Sequence, residues 1–145
     1  GVGPWMRRLD HSTIFVFIAG TYTPVVVLSL GGGAAPVLVA AWIGAAVGVG
    51  VTLLWIDAPR WVTSGCYLVV GWIAVVALPQ IYGALGPARF ALLAAGGLLF
   101  TAGAVVYARR TPDPVPSVFG YHEVFHALVI AAVALHYGLI TTLAR

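Results

Sequence analysis

The chain has 145 residues, of which 61% are hydrophobic and 8% are charged, whereas an ordinary soluble domain has roughly 25% charged residues. A water-soluble fold is nearly excluded, because a chain of this size exposes a large surface and has too few charges to cover it. Seven arginines against four acidic residues give a net charge of +3, but they are scattered at segment ends, which argues against nucleic-acid binding. Membrane lipids are the expected partners, and protein partners stay unknown.

Five apolar stretches are each long enough to cross a bilayer. A hydrocarbon core about 30 Å thick needs roughly 20 helical residues at 1.5 Å each. Segments rich in glycine or proline separate the stretches and are typical of turns. The sequence therefore predicts an all-α membrane protein with a single transmembrane domain over residues 1–145 and spans at about 13–30, 35–56, 61–82, 87–107 and 118–143.

Some residues within the spans have a structural interpretation. Pro24 and Pro79 are expected to kink their helices, with neighbouring helices satisfying the freed backbone groups. Glycines at small-xxx-small spacing, such as Gly44 with Gly48, predict close approach of helix backbones. Cys66 has no partner in the sequence, so we expect a core residue rather than a disulfide or a cysteine zinc motif.

The arginines indicate an orientation in the membrane. Because the loops are short, neighbouring spans should run antiparallel, so that segment ends group onto two faces. One face receives five arginines and the other receives Arg89 and Arg145. This bias, together with interfacial tryptophans, predicts a multi-pass protein of the plasma (inner) membrane with the amino end of this chain in the cytoplasm. The five are Arg7, Arg8, Arg60, Arg109 and Arg110.

The start of the last span carries the pattern H-E-x-x-H, at residues 122–126. Residues four apart lie on one helix face, so His122 and His126 can reach the same metal ion. In a zinc protease with this pattern Glu123 would be the general base. However, no third ligand at the protease spacing follows, and His136 lies about 15 Å further along the helix. His136 and His11 are interpreted as structural or interfacial.

Asp10 is the candidate third group from within the chain. It stands at the beginning of the first span, at the membrane level where the last span begins, and could bind the metal or hold its water. The alternative is that Asp10 caps its helix and interacts with the positive end of the helix dipole. The predicted site therefore has Asp10 as its catalytic residue and His122 and His126 as metal ligands.

Two motifs resemble the hemolysin III and PAQR (adiponectin receptor-like) family of seven-span membrane proteins. Residues 9–14, LDHSTI, running into residues 18–24, IAGTYTP, resemble the family's third span. Residues 119–126, FGYHEVFH, followed by residues 135–137, LHY, resemble its seventh. The resemblance covers essentially the whole chain and implies that the five predicted helices correspond to the last five of a seven-helix bundle.

The resemblance also implies a zinc site near the cytoplasmic face. Two family ligands carry over onto His122 and His126, and the family's aspartate, which acts through zinc-bound water, carries over onto Asp10. A third family histidine lies in an S-x-x-x-H segment that this sequence does not contain. Because the chain opens at Gly1 and its one methionine is Met6, we expect a segment of a longer protein.

The resulting function hypothesis is a zinc-dependent membrane hydrolase that acts on lipid amides or esters, as the resemblance to ceramidase-like relatives implies. One alternative is a pore-forming or cytolytic protein, which the family's name suggests, although the spans lack the polar stripe of a water-filled pore. Another is a receptor-like protein in which zinc is structural and its fourth coordination position is closed.

Overall fold

The computed structural model describes residues 2–55 and 57–145, and the regular secondary structure of these residues is helical apart from an isolated bridge between Val115 and Phe119. The all-α prediction is confirmed. The described residues form five α-helices, which are α1 (Val2–Leu30), α2 (Ala34–Leu54), α3 (Arg60–Gly71), α4 (Leu78–Arg109) and α5 (Tyr121–Leu143). Short 3-10 segments join α1 to α2, at Gly31–Gly33, and lie between α3 and α4, at Ile73–Ala77.

Three helical runs of the described residues are long and apolar enough to cross a membrane: Gly3–Leu54, Arg60–Arg109 and Tyr121–Leu143. The prediction of five separate spans is therefore corrected to three continuous runs. The glycine segments expected to separate spans do not interrupt the helices, because Gly31–Gly33 forms a 3-10 turn and a single residue, Gly86, leaves the helical conformation with φ 76°. Glycine lacks a Cβ and tolerates such backbone angles.

The first run folds back on itself. The side chain of Phe15 lies against Gly48, where an added Cβ would be 2.2 Å from the ring. Further along, the Trp42 indole N–H donates to Thr23 Oγ1 at 3.1 Å. In both pairs the two residues are about equally far in sequence from the glycine turn at residues 31–33. The chain therefore reverses at this turn, and α1 and α2 run antiparallel. Gly48 thus makes room for the Phe15 ring, and the close approach of helix backbones expected there stays a prediction.

The second run also reverses direction, and α5 is again antiparallel to the helix before it. The Trp72 indole N–H donates to Thr101 Oγ1 at 3.0 Å, which places the end of α3 beside the second half of α4. Arg89, early in that second half, donates to the Thr142 carbonyl near the end of α5 at 3.0 Å. The half of α4 that follows Gly86 therefore runs antiparallel to both α3 and α5.

A break between α3 and α4 was not predicted. The helix ends at Gly71, and the Tyr22 hydroxyl from α1 donates to the Gly71 carbonyl and accepts the Ala74 N–H at 3.2 Å. Backbone groups freed within an apolar region need such partners. Pro79 then lies in the first turn of α4 instead of kinking a span, whereas Pro24 lies inside α1 as expected.

One end of the bundle is formed where α1, α3 and α5 begin and α4 ends, and we call it the site end. Its core contains the buried rings of Phe15 on α1, Tyr67 on α3, Tyr107 on α4 and Phe125 on α5. The Phe15 and Tyr67 ring centroids are 4.5 Å apart, and those of Tyr107 and Phe125 are 5.3 Å apart. These aromatic contacts hold the four helices in register and thereby fix the first turns of α5 against α1.

Candidate metal centre

The start of α5 is held by two carboxylates. Asp113 Oδ1, from the loop after α4, accepts the Tyr121 N–H at 2.9 Å, and the Glu123 carboxylate accepts the Gly120 N–H at 2.8 Å. The first N–H groups of a helix have no partner within the helix, so both contacts stabilise its beginning. Gly120 leaves room for Asp113, because a Cβ there would lie 2.6 Å from Oδ1.

Asp10, His122 and His126 converge at the site end. The Nε2 atoms of the two histidines are 2.9 Å apart, and Asp10 Oδ2 lies 3.6 Å from each of them. All three side chains are half-buried, with the Asp10 side chain 40% exposed. α1 begins about two turns before Asp10, so Asp10 does not cap its helix, and its carboxylate is directed at the histidine pair instead.

The separations of these three atoms fit ligands of one metal ion. Two ligand atoms at 2.0–2.1 Å from a tetrahedral ion are about 3.3 Å apart, which lies between the 2.9 Å and 3.6 Å observed here. Imidazole nitrogen and carboxylate oxygen suit divalent transition metals. With His122 and His126 as ligands, and Asp10 either as a third ligand or holding a metal-bound water, a coordination position stays open for water or substrate, as is typical of catalytic sites.

His11 supports the site from behind. It is 8% exposed, and its Nε2 lies 3.0 Å from the Tyr107 hydroxyl, while its ring centroid is 6.4 Å from that of His122. The Tyr67 hydroxyl donates to the His11 carbonyl at 3.2 Å. His11 therefore links α1 to α3 and α4 directly beside Asp10, in keeping with the structural role expected of it.

Arg60, the first residue of α3, lies over the rings of two tyrosines next to the site. Its Cζ is 6.0 Å from the centroid of Tyr107 and 5.7 Å from that of Tyr121. Tyr107 in turn is 6.1 Å from His122, centroid to centroid. Arg60 and Tyr107 were not predicted as site residues from the sequence, because no local motif predicts contacts between α3, α4 and α5.

Comparison with known proteins identifies the family to which the chain belongs. Residues 2–137 match the family described as Haemolysin-III related. The chain belongs to the haemolysin III family. It is 32% identical over 130 residues to a protein named Hemolysin-3 homolog of Bacillus subtilis (strain 168), which covers 89% of this chain and 58% of the relative. It is also 32% identical over 129 residues to Hemolysin-3 of Bacillus cereus, covering 88% and 56%. No solved structure matches the chain significantly.

The resemblance to the hemolysin III family is thus confirmed. With its three apolar helical runs, this haemolysin III protein is an integral membrane protein. The chain spans less than three fifths of the length of the two relatives. Of the residues predicted to form the site, Asp10, His122 and His126 are the three that the structure brings together, and Glu123 is not part of the cluster.

Two residues of the haemolysin III motifs lie away from the metal ligands. Glu123 is exposed, and its contact with Gly120 makes it a helix cap. His136 is 7% exposed and donates from Nε2 to the Leu93 carbonyl of α4 at 3.1 Å, against Gly96, which leaves room for the ring. A structural role for His136, as expected, accounts for these contacts.

An apolar cavity lies within the haemolysin III bundle, next to the aromatic core of the site end. Its volume is about 240 Å³, and its lining includes Ile14 and Tyr67 near the site end and Phe125, whose ring centroid is 5.1 Å from that of His126. His136, almost three helical turns beyond His126, lines its far part. Asp10, His122 and His126 do not line the cavity, which on α5 runs from Phe125 through Val129 to His136.

Proposed function

We propose that this haemolysin III protein is a zinc-dependent membrane hydrolase that acts on lipid amides or esters. The convergence of Asp10 with His122 and His126 carries the proposal, because Asp10 is more than a hundred residues from the two histidines in the chain and still meets them on three potential ligand atoms. Ionisable groups within apolar helices cost several kcal/mol unless they are paired or ligated, so such a cluster indicates function.

The side chains have distinct roles in this proposal. His122 and His126 would hold the ion through Nε2, and a divalent zinc ion bound there would supply charge that polarises a carbonyl and acidifies water. Asp10 is the catalytic residue: its Oδ2 orients the attacking water and accepts the proton that this water loses. The hydrogen-bonded pair His11 and Tyr107 keeps α1 and α4 in place around these groups.

The cavity supports a lipid as substrate. The substrate carbonyl group would lie beside Asp10 with an apolar chain attached, and the apolar cavity lined by Ile14 and Phe125 offers space for such a chain along α5. Ligand sites generally combine such an apolar lining with a few polar groups at one end. Membrane lipids are therefore the proposed partners, and the reacting bond is an amide or ester next to an acyl chain.

We further propose that each of the two longer helical runs crosses the bilayer twice, which gives five crossings in one transmembrane domain. A straight helix of 52 residues would be about 78 Å long, far beyond the roughly 30 Å of a hydrocarbon core. The reversals at Gly31–Gly33 and Gly86 support this arrangement. These helices would correspond to the last five of seven, and the arginine bias supports a cytoplasmic site end in the plasma membrane.

Zinc content tests the metal site. We expect the purified protein to hold about one zinc ion per molecule by elemental mass spectrometry, and His122→Ala and His126→Ala to lose it. Glu123→Gln is the matched control, because it changes the same motif while keeping an oxygen that can cap the helix. Equal zinc in His122→Ala and the wild type would refute the site.

Two competing functions give different results. The names of the two relatives favour cytolysis, and a lytic protein should lyse erythrocytes equally well when both histidines are replaced. A structural zinc would be retained without any turnover. The hydrolase proposal expects the wild type to release fatty acid from short-chain ceramide or ester substrates. His126→Ala should lose this activity, and neither protein should lyse cells.

A further inference from the structure

Arg60 is a cation without an acidic partner beside the candidate metal centre. No carboxylate of the described residues lies within 4.0 Å of its guanidinium. Three of the four acidic side chains have other partners: Asp10 faces the histidines, Asp113 accepts from Tyr121, and Glu123 accepts from Gly120. The fourth, Asp57, is exposed. The positive charge at this position is therefore available to a ligand.

The position of Arg60 at the start of a helix is also electrostatically unfavourable for a positive charge. Arg60 is the first residue of α3, where the helix dipole presents its positive end and destabilises a basic side chain. An anion bound there would be attracted both by the guanidinium and by the helix terminus. The charge thus has an electrostatic cost in the free protein that an anionic ligand removes.

The two tyrosines orient the guanidinium. With its Cζ about 6 Å from the centroids of Tyr107 and Tyr121, the group is held by cation–π contacts while it is half-buried. A planar guanidinium held in this way presents a fork of N–H donors that matches the oxygens of a phosphate group. Lysine could not provide the same fork.

We propose that Arg60 binds the phosphate of a lipid headgroup, and that the substrate is an acyl ester of a phospholipid. This inference rests on the proposed hydrolase function and names its substrate class. Tyr107 is close to both groups: its ring centroid is 6.0 Å from Arg60 Cζ and 6.1 Å from the ring centroid of His122. In a glycerophospholipid the glycerol unit separates the phosphate from the ester carbonyl, so Arg60 and the metal centre are placed to contact the two groups together.

Binding is measured with metal removed by a chelator, so that neither zinc nor turnover contributes. The probe is dihexanoyl phosphatidic acid, added to the purified protein in uncharged maltoside micelles and followed by calorimetry. Dihexanoylglycerol has the same acyl chains without phosphate, and inorganic phosphate has the anion without the chains. We expect phosphatidic acid to bind at least tenfold more tightly than either.

Variants assign the binding to Arg60. Arg60→Gln should weaken phosphatidic acid binding at least tenfold and leave dihexanoylglycerol unchanged, and Arg60→Lys should weaken it severalfold, since it keeps the charge and loses the fork. Arg8→Gln is the matched control, because Arg8 also stacks on an aromatic ring, at 4.8 Å from Trp5. It should bind like the wild type.

Three outcomes would overturn the proposal: equal binding of phosphatidic acid and dihexanoylglycerol, equal binding by Arg60→Gln and the wild type, or inorganic phosphate as tight as the lipid. Arg60→Lys keeps the test decisive if Arg60→Gln does not fold. Absence of hydrolysis in the zinc-loaded protein, with binding as expected, would refute the hydrolase and leave the phosphate site standing.

Discussion

Asp10 is the residue on which the proposed chemistry depends most directly. Its carboxylate lies 3.6 Å from both histidine nitrogens and caps no helix. Asp10→Asn keeps the size of the side chain and removes the proton acceptor, so we expect turnover to fall by about 10²–10⁴-fold, while part of the zinc is retained by the histidines. Turnover and zinc content are measured on the same preparation.

The matched control for this change is Asp57→Asn, an exposed acidic residue just before α3. It should retain turnover within about twofold of the wild type, because it does not belong to the ligand cluster. Normal turnover in Asp10→Asn would exclude Asp10 as the proton acceptor and leave it, at most, an electrostatic partner of the histidines.

The extent to which this site can be predicted depends on sequence distance. His122 and His126 are four residues apart, so helical geometry alone places them on one face, and counting antiparallel spans places Asp10 at the same end. Arg60 and Tyr107 are different, because they reach the site through packing between separate helices. Their side chains have no local pattern that distinguishes them from other interfacial residues.

At the scale of elements, Gly48 determines how closely α1 and α2 approach. A Cβ at this position would lie 2.2 Å from the ring of Phe15, which is fully buried. We expect Gly48→Ala to lower the free energy of unfolding by about 1–3 kcal/mol. Thermal denaturation in detergent measures the change.

Gly50 on the same helix provides the comparison, because nothing lies within 4 Å of a Cβ added there. Gly50→Ala should be neutral or stabilising by up to about 1 kcal/mol, since alanine favours the helix. The double variant Gly48→Ala with Phe15→Leu should recover part of the loss. A neutral Gly48→Ala would mean that α1 and α2 are not packed through Phe15.

Tyr22 stabilises the break between α3 and α4. Its hydroxyl donates to the Gly71 carbonyl and accepts from the Ala74 N–H. Within the bilayer no water is available to hydrogen-bond these two backbone groups. Tyr22→Phe should lower the unfolding free energy by roughly 1–3 kcal/mol. Tyr137→Phe, on a side chain 68% exposed, should change it by less than about 0.5 kcal/mol, and equal effects would contradict this role.

The helix breaks show what sequence patterns leave undetermined. Glycine and proline marked the turns at residues 31–33 and 83–86, but composition does not reveal whether the chain stays helical through a turn, as it does here. At Gly71, the sequence alone does not distinguish a glycine that ends a helix from one that packs against a neighbouring helix. The break exists because a hydroxyl from α1 satisfies the freed groups, which is a property of the folded molecule.

For the whole molecule, the central question is how many times the chain crosses the bilayer. If each long run crosses twice, the turn at Gly31–Gly33 emerges on the face opposite the site end, whereas a run crossing once would have this turn near the middle of the membrane. Gly32 is exposed and makes no close contact, so Gly32→Cys is a suitable probe. Thr111→Cys, in the exposed loop after α4, reports the site end.

Labelling with a membrane-impermeant maleimide distinguishes the two arrangements, after the free Cys66 has been replaced by alanine. In intact cells we expect Gly32→Cys to react and Thr111→Cys to react only after the membrane is opened, since the arginine-rich site end should face the cytoplasm. Reaction of Thr111→Cys from outside would reverse the orientation while keeping five crossings. Failure of Gly32→Cys to react from either side would instead mean that the first run crosses only once, and the antiparallel contact of Trp42 with Thr23 would then require another explanation.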